Sequence, residues 1–226
     1  MISDSIEEYL EIIYKLEQEA SPVTTSALAE RLGISGASVS EMTTKLAEQG
    51  LVTREPYKGV VLTADGRYQA LILIRRHRLW ERFLTDVLDL PWDQVHEEAC
   101  RLEHVTSPLV EERLAQFLGE PETCPHGHPM PTATGRMAVE AGCPLAELTA
   151  GQRATILRVP EGNPALLQYL GDLGLKPGAT VQVEAVAPFQ GPLTVQIGEA
   201  RHALGQELAS KIVVQHCDRF FCLANT

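Results

Sequence analysis

Apolar positions recur at one-turn spacing through the first half of the chain and alternate in short runs through the last third. Residues 4–18 put Ile6, Tyr9, Leu10, Ile13 and Leu16 on one face, which predicts an amphipathic helix with Glu8, Glu11 and Lys15 opposite. After Ser21-Pro22, residues 23–50 read as a helix-turn-helix. Thr25 or Ser26 caps a short helix through Leu28, Ala29 and Leu32; Gly33 supplies a left-handed turn and Ile34 returns to the core. Ser35 caps a second helix with Val39, Met42 and Leu46 inward, ending at Gly50. Residues 51–54 and 60–63, joined by Glu55-Pro56-Tyr57-Lys58-Gly59, predict a hairpin, and a hairpin directly after a helix-turn-helix is a wing.

Thr63 then caps a long helix running to Leu88. Leu90-Pro91 turns the chain into a second helix, with Val95, Ala99 and Leu102 buried. Ser107-Pro108 opens a third, whose Leu109, Val110, Leu114, Phe117 and Leu118 form a wide apolar surface suited to pairing with a second copy. From Gly119 the helical period stops. CPHGHPMP (Cys124 to Pro131) reads as a rigid structural loop and 132–144 as a linker. Runs at 154–159, 180–186, 193–197 and 211–214, with a helix at Pro164 to Leu173, predict a small β-barrel. The fold class is therefore mainly α with small β parts.

At 226 residues the chain can bury a real core and form two or three small domains. No apolar run reaches the ~18 residues that span a bilayer. The N-terminus MISDSIEEYLEIIYKLEQE is acidic and amphipathic, unlike a targeting signal, so a cytoplasmic protein with no membrane partner is expected. Five cysteines without a framework spacing fit reduced thiols, Cys217 and Cys222 among them as tail residues. A formal charge of −11 excludes a general nucleic-acid coat or membrane-surface protein. It leaves room for a specific DNA reader with local cations.

The unusual chemistry lies in HEEACRLEH. His96, Cys100, Glu103 and His104 stand at i, i+4, i+7 and i+8, adjacent on one helix surface. A thiolate, a carboxylate and two imidazoles form the donor set of a borderline divalent transition metal. His77 and Glu81 make a second i, i+4 pair on the preceding helix, and Glu8 and Glu11 are three apart on the first. On the DNA side, Ser35, Ala37, Ser38, Ser40, Glu41, Thr44 and Lys45 face outward from the second helix of the helix-turn-helix. Small hydroxylated residues there allow close approach to a major groove, and Arg54, Tyr57 and Lys58 of the hairpin can meet phosphates.

With these pieces assembled, the chain resembles the diphtheria toxin repressor family, the metal-activated DtxR, IdeR and MntR regulators. The likeness runs over essentially the whole length and is most specific in RHRLWERFL, HEEACRLEH and CPHGHPMP. It implies a winged helix-turn-helix domain (1–72), a helical metal-binding and dimerisation domain (73–140) and an SH3-like, FeoA-like barrel (141–226). It also implies a homodimer, not an enzyme, that binds operator double-stranded DNA when loaded with Mn(II) or Fe(II). By position, His77, Glu81 and His96 match the family's ancillary site, and Glu8, Cys100, Glu103 and His104 its primary site. Iron-responsive members typically carry methionine where this chain has Glu8; manganese-responsive ones carry an acid, joined by another matching Glu11. Cys100 is the iron-type residue where the manganese type has glutamate. Two acids against one thiol favour Mn(II) over Fe(II). The barrel ligands of iron members find no clean match, Glu161 being merely nearby. The competing readings are a metal-independent DNA-binding adaptor and a metalloenzyme; the absence of a separate nucleophile motif disfavours the latter.

Overall fold

Ile6, Tyr9, Leu10 and Ile13 are the buried stripe of α1 (Asp4–Glu17), and they close over Leu28 of α2 (Thr25–Leu32) and Val39 and Leu46 of α3 (Gly36–Glu48) in one hydrophobic core. The cap of α2 is Thr24 rather than Thr25 or Ser26: its hydroxyl accepts from the amide of Ala27 at 3.1 Å. Gly33 takes φ +67° and ends α2 as expected, but the Ile34 side chain is 40% exposed, so its backbone, bonded to the Ala29 carbonyl, makes the turn without the side chain entering the core. Ser35 caps α3 through the Ser38 amide.

β1 (Val52–Glu55) and β2 (Gly59–Leu62) form an antiparallel hairpin that adds Val52, Val60 and Leu62 to the same core. Glu17 fastens α1 to it. Its carboxylate accepts from the Leu62 amide at 2.6 Å and from Arg67 at 2.5 Å, with the carboxylate itself almost fully buried. Thr63 caps α4 (Ala64–Asp86) through the Gly66 amide.

The structure, a computed structural model, describes residues 3–55, 57–138 and 142–216; Pro56, Cys217 and Cys222 lie outside the described residues. The chain forms two compact units: Met1–Trp80 with Cys100–Gly119 and Met130–Ala138, and Glu81–Ala99 with Glu120–Pro129 and Val139–Thr226. In the first, α4 is joined to α6 (Pro108–Phe117) by Arg75 and Arg76, both ion-paired to the buried Glu111 at 3.3 and 2.9 Å. The Trp80 indole donates to Thr106 at 2.7 Å, which sets the end of α5 (Val95–Glu103) against α4. Leu109, Val110 and Phe117 of α6 are left exposed.

The second unit is built on a six-stranded antiparallel sheet in the order β3-β8-β4-β5-β6-β7. Its strands are β3 (Cys143–Pro144), β4 (Arg153–Arg158), β5 (Thr180–Val186), β6 (Leu193–Ile197), β7 (Ala200–Leu204) and β8 (Val213–His216). Register shifts at Ile156/Arg158 and Val183/Ala185 bend it around a core that includes Leu167 and Leu170 of α7 (Pro164–Asp172) and Ala209 of α8 (Gln206–Lys211). The expected barrel is met by an open sheet: no ladder joins β7 to β3 among the described residues. With only two residues, β3 is too short to close one.

Candidate metal centres and DNA-reading surface

In the first unit, α4, α5 and the turn after α5 bring four potential ligands together. Nδ1 of His77 donates to Glu103 Oε2 at 2.6 Å and lies 3.8 Å from Cys100 Sγ. His104 Nε2 is 3.4 Å from the other Glu103 oxygen. Glu103 is 2% exposed, and burial raises its pKa; the hydrogen bond and charge of His77 pull it down, while Glu11 on α1 pushes it up again. Glu11 therefore faces this site, although its Oε1 also pairs with Lys15 at 2.8 Å. The acid of α1 that touches the site directly is Glu7, not Glu8: His104 Nδ1 donates to Glu7 Oε2 at 2.7 Å, whereas Glu8 is exposed. Burial would lower the His104 pKa, but Glu7, Glu103 and Asp4 outweigh it and raise it.

His77 belongs to the first unit with Cys100 and Glu103; Glu81 and His96 belong to the second, with His96 Nδ1 3.7 Å from Glu81. There Glu81, fully buried, meets the CPHGHPMP loop, expected to be purely structural. Glu81, Cys124, His126 and Glu161 each offer a ligand atom, all within 4.8 Å of one another. His126 Nε2 donates to the Trp92 carbonyl at 2.8 Å, which directs Nδ1 toward Glu81 (3.5 Å) and Cys124 Sγ (3.9 Å). Burial works against the charged imidazole, yet the hydrogen bonds and charges of Cys124 and Glu81 push its pKa up to about 10. A cavity so negative that it holds a proton on a buried histidine suits a dication, and two carboxylates, a thiolate and an imidazole suit a transition metal. His128 Nε2 donates to the Val159 carbonyl at 2.9 Å and lies 3.7 Å from Glu161 Oε2.

Gly127 makes this loop possible. At φ +89° it packs on β4 so closely that a Cβ would lie 1.9 Å from the Leu157 carbonyl oxygen. Gly127→Ala is expected to lower stability by about 1–3 kcal/mol or more, read as a fall in thermal midpoint; an unchanged midpoint would show that the loop is not held against the strand.

On the DNA side, Ser35, Ala37, Ser38, Glu41 and Lys45 of α3 are exposed. The hydroxyls of Ser40 and Thr44 are half-buried and donate back to the Gly36 and Ser40 carbonyls. Arg54 donates to Thr44 at 2.7 Å, tying the hairpin to α3. Tyr57, at φ +65°, and Lys58 are exposed at the hairpin tip. A cleft of about 920 Å³ runs between them and the start of α2, so Thr24, Thr25 and Ser26 join this surface.

Three family descriptions cover the chain in sequence: an iron-dependent repressor N-terminal DNA-binding domain over residues 1–60, an iron-dependent repressor metal-binding and dimerisation domain over 63–132, and a FeoA domain over 143–216. The chain is 37% identical over 224 residues to the iron-dependent repressor IdeR of Mycobacterium tuberculosis (strain ATCC 25618 / H37Rv), covering 94% of this chain and 97% of that protein. It is 36% identical over 205 residues to the diphtheria toxin repressor of Corynebacterium jeikeium (strain K411), covering 80% and 85%. Among solved structures, it resembles a manganese-dependent transcriptional repressor in complex with manganese, with a TM-score of 0.84 and 37% identity over 93% of this chain and 99% of that one. The chain belongs to the diphtheria toxin repressor family and is a metal-dependent, DNA-binding transcriptional regulator.

Proposed function

We propose that the chain is a homodimeric repressor of metal-homeostasis genes, activated by Mn(II) with Fe(II) as the next candidate. The hairpin β1–β2 serves as the wing of a winged helix-turn-helix, α6 pairs with a second copy through Leu109, Val110 and Phe117, and the bent sheet is an SH3-like module. One centre is held by Cys100, Glu103 and His104 with carboxylates from α1, and His77 beside them. The other is held by Glu81, Cys124, His126 and Glu161, with His96 next to Glu81.

The observation that carries this reading is the Glu7–His104 pair at 2.7 Å. It joins the helix that packs the helix-turn-helix core to the residues after α5 that follow Cys100 and Glu103. Like charges on Glu103, Glu11 and Glu8 oppose gathering at one point, each close pair at a cost of about 4 kcal/mol at an effective dielectric near 20. A bound dication supplies the positive charge that lets them share a pocket. α1 is then held in one position, and α3, presented from Ser35 onward, meets successive major grooves ~34 Å apart in a dimer. A shift from 1:99 to 99:1 in such a balance needs ~5.5 kcal/mol of differential binding.

Operator retention measured on one sample across Mn(II), Fe(II) and chelator tests this. Binding that persists in chelator supports the adaptor reading instead. Cys100→Glu is expected to raise the preference for Mn(II) over Fe(II) by exchanging a soft donor for a hard one; parallel anaerobic titrations that give the same ratio as the unaltered chain exclude Cys100 as a ligand.

A further inference from the structure

We propose that a cleft in the second unit binds a small zwitterion of the α-amino acid class, and that the centre of Glu81, Cys124, His126 and Glu161 feels its occupancy. The second clause rests on the metal-regulator reading above; the first stands without it. The cleft, about 680 Å³, lies between the end of α4, residues 91–94, Pro125, and the last turn of α7 with the residues after it. That volume is in the range of small-molecule sites.

Four charged residues line it, Arg82, Asp93, Asp172 and Lys176, two of each sign. No two of them form an ion pair with each other. Arg82 is held instead by the Thr123 carbonyl at 2.8 Å and by Asp86 at 3.3 Å. Opposite charges kept apart around one cavity suit a ligand that carries both signs, and their balance disfavours a polyanion. Two further donors face the same space. Thr85 Oγ1 is buried with no hydrogen-bond partner, a cost that a ligand oxygen would remove. The indole N–H of Trp92 lies beside Gly171 and has no acceptor among the described residues. A ligand carboxylate therefore belongs with Lys176, Thr85 and the Trp92 N–H, and its ammonium with Asp93 or Asp172.

The cleft also shares a wall with the second cluster. Pro125 stands between Cys124 and His126. The Trp92 carbonyl accepts from His126 Nε2 at 2.8 Å, and the two rings lie 5.5 Å apart. Lys176 reaches over the same indole, its Nζ 5.3 Å from the ring centroid. A ligand that draws Lys176 or the indole N–H toward itself pulls on the residue that orients His126.

The test uses the metal-free full chain, the common amino acids one at a time, and acetate, methylammonium and inorganic phosphate as partial mimics. At about 10 mM, above a ~1 mM dissociation constant, at least one amino acid is expected to move the indole ¹H–¹⁵N resonance of Trp92 and leave that of Trp80 in place. Acetate and methylammonium should bind roughly tenfold more weakly or worse, as should the amino acid to Lys176→Met or Asp172→Asn, each lacking one charge-assisted contact. Gly171→Ala blocks the cleft without changing charge, because its methyl would lie 3.2 Å from Trp92 Nε1. An unmoved Trp92 resonance with every amino acid, or phosphate binding as tightly as the best of them, overturns the zwitterion site. Saturating amino acid should then change the Mn(II) affinity of the unaltered chain by roughly fivefold or more, the scale of coupled sites, and have no such effect in Gly171→Ala, which controls for chelation in solution. Equal Mn(II) affinities overturn the coupling. A chain that binds the amino acid and takes up no Mn(II) sinks the metal reading and leaves the cleft standing.

Discussion

Glu103→Gln is expected to lower operator affinity at fixed Mn(II) roughly 100-fold or more, a loss larger than that of a residue that only orients a ligand, while the dimer stays folded. Glu103 is an almost fully buried carboxylate, 2.6 Å from His77 and 3.4 Å from His104. Glutamine keeps its volume and can still accept from His77, so the helices retain their packing. What disappears is the charge that a cation would balance. Gel shifts with and without chelator, paired with sedimentation to confirm the dimer, separate these effects. Mn(II)-dependent shifts equal to those of the unaltered chain would remove Glu103 from the site.

The second large effect is expected from His126→Ala. Buried ion pairs cost about 3–5 kcal/mol when one partner is deleted, because the remaining charge keeps its desolvation penalty. The substitution removes the positive charge 3.5 Å from the fully buried Glu81 and a ligand atom of the second cluster. Two readouts should therefore fall together: stability of the metal-free chain by denaturant titration, and metal stoichiometry by one equivalent per chain. Glu81→Gln added to His126→Ala should recover much of the stability and none of the metal. In the metal-free protein the His126 contribution is fully present below the ordinary histidine value of 6.5 and is lost as pH rises through about 10. A stability unaffected by the single substitution would show that Glu81 draws no support from this imidazole.

The helices and caps were legible because they depend on short-range chemistry. Ser35, Thr63 and Ser107 each cap the helix that follows, and the stripe of α1 appears in the order Ile6, Tyr9, Leu10, Ile13. Cys100, Glu103 and His104 were also visible, being neighbours on one helical face. The cluster of Glu81, Cys124, His126 and Glu161 was not. Its donors come from α4, a loop and the segment after β4, and no local period links them. The signal available was the alternation of Cys124 and His126 beside Gly127 in CPHGHPMP, which reads equally well as a stiff turn until Glu81 is placed against it. Glu7 was missed for a different reason. A one-residue shift around a helix decides whether Glu7 or Glu8 points inward, and apolar periodicity does not resolve half of that angle. β3 has only two residues and β7 (ARHAL) is largely exposed with no apolar run to read, so the closed barrel was an extrapolation from four other runs.

Glu17 gives α1 a fixed zero point. From that carboxylate to Glu7 the helix counts ten residues, ~15 Å at 1.5 Å each, with the DNA-reading core at one side and the cysteine-bearing helix reached at the end. The segment between them is thus a ruler as well as a strut. Most side chains facing water along it are free to vary, but its length is not, because adding or dropping a single residue would swing every acid beyond that point by more than a quarter turn.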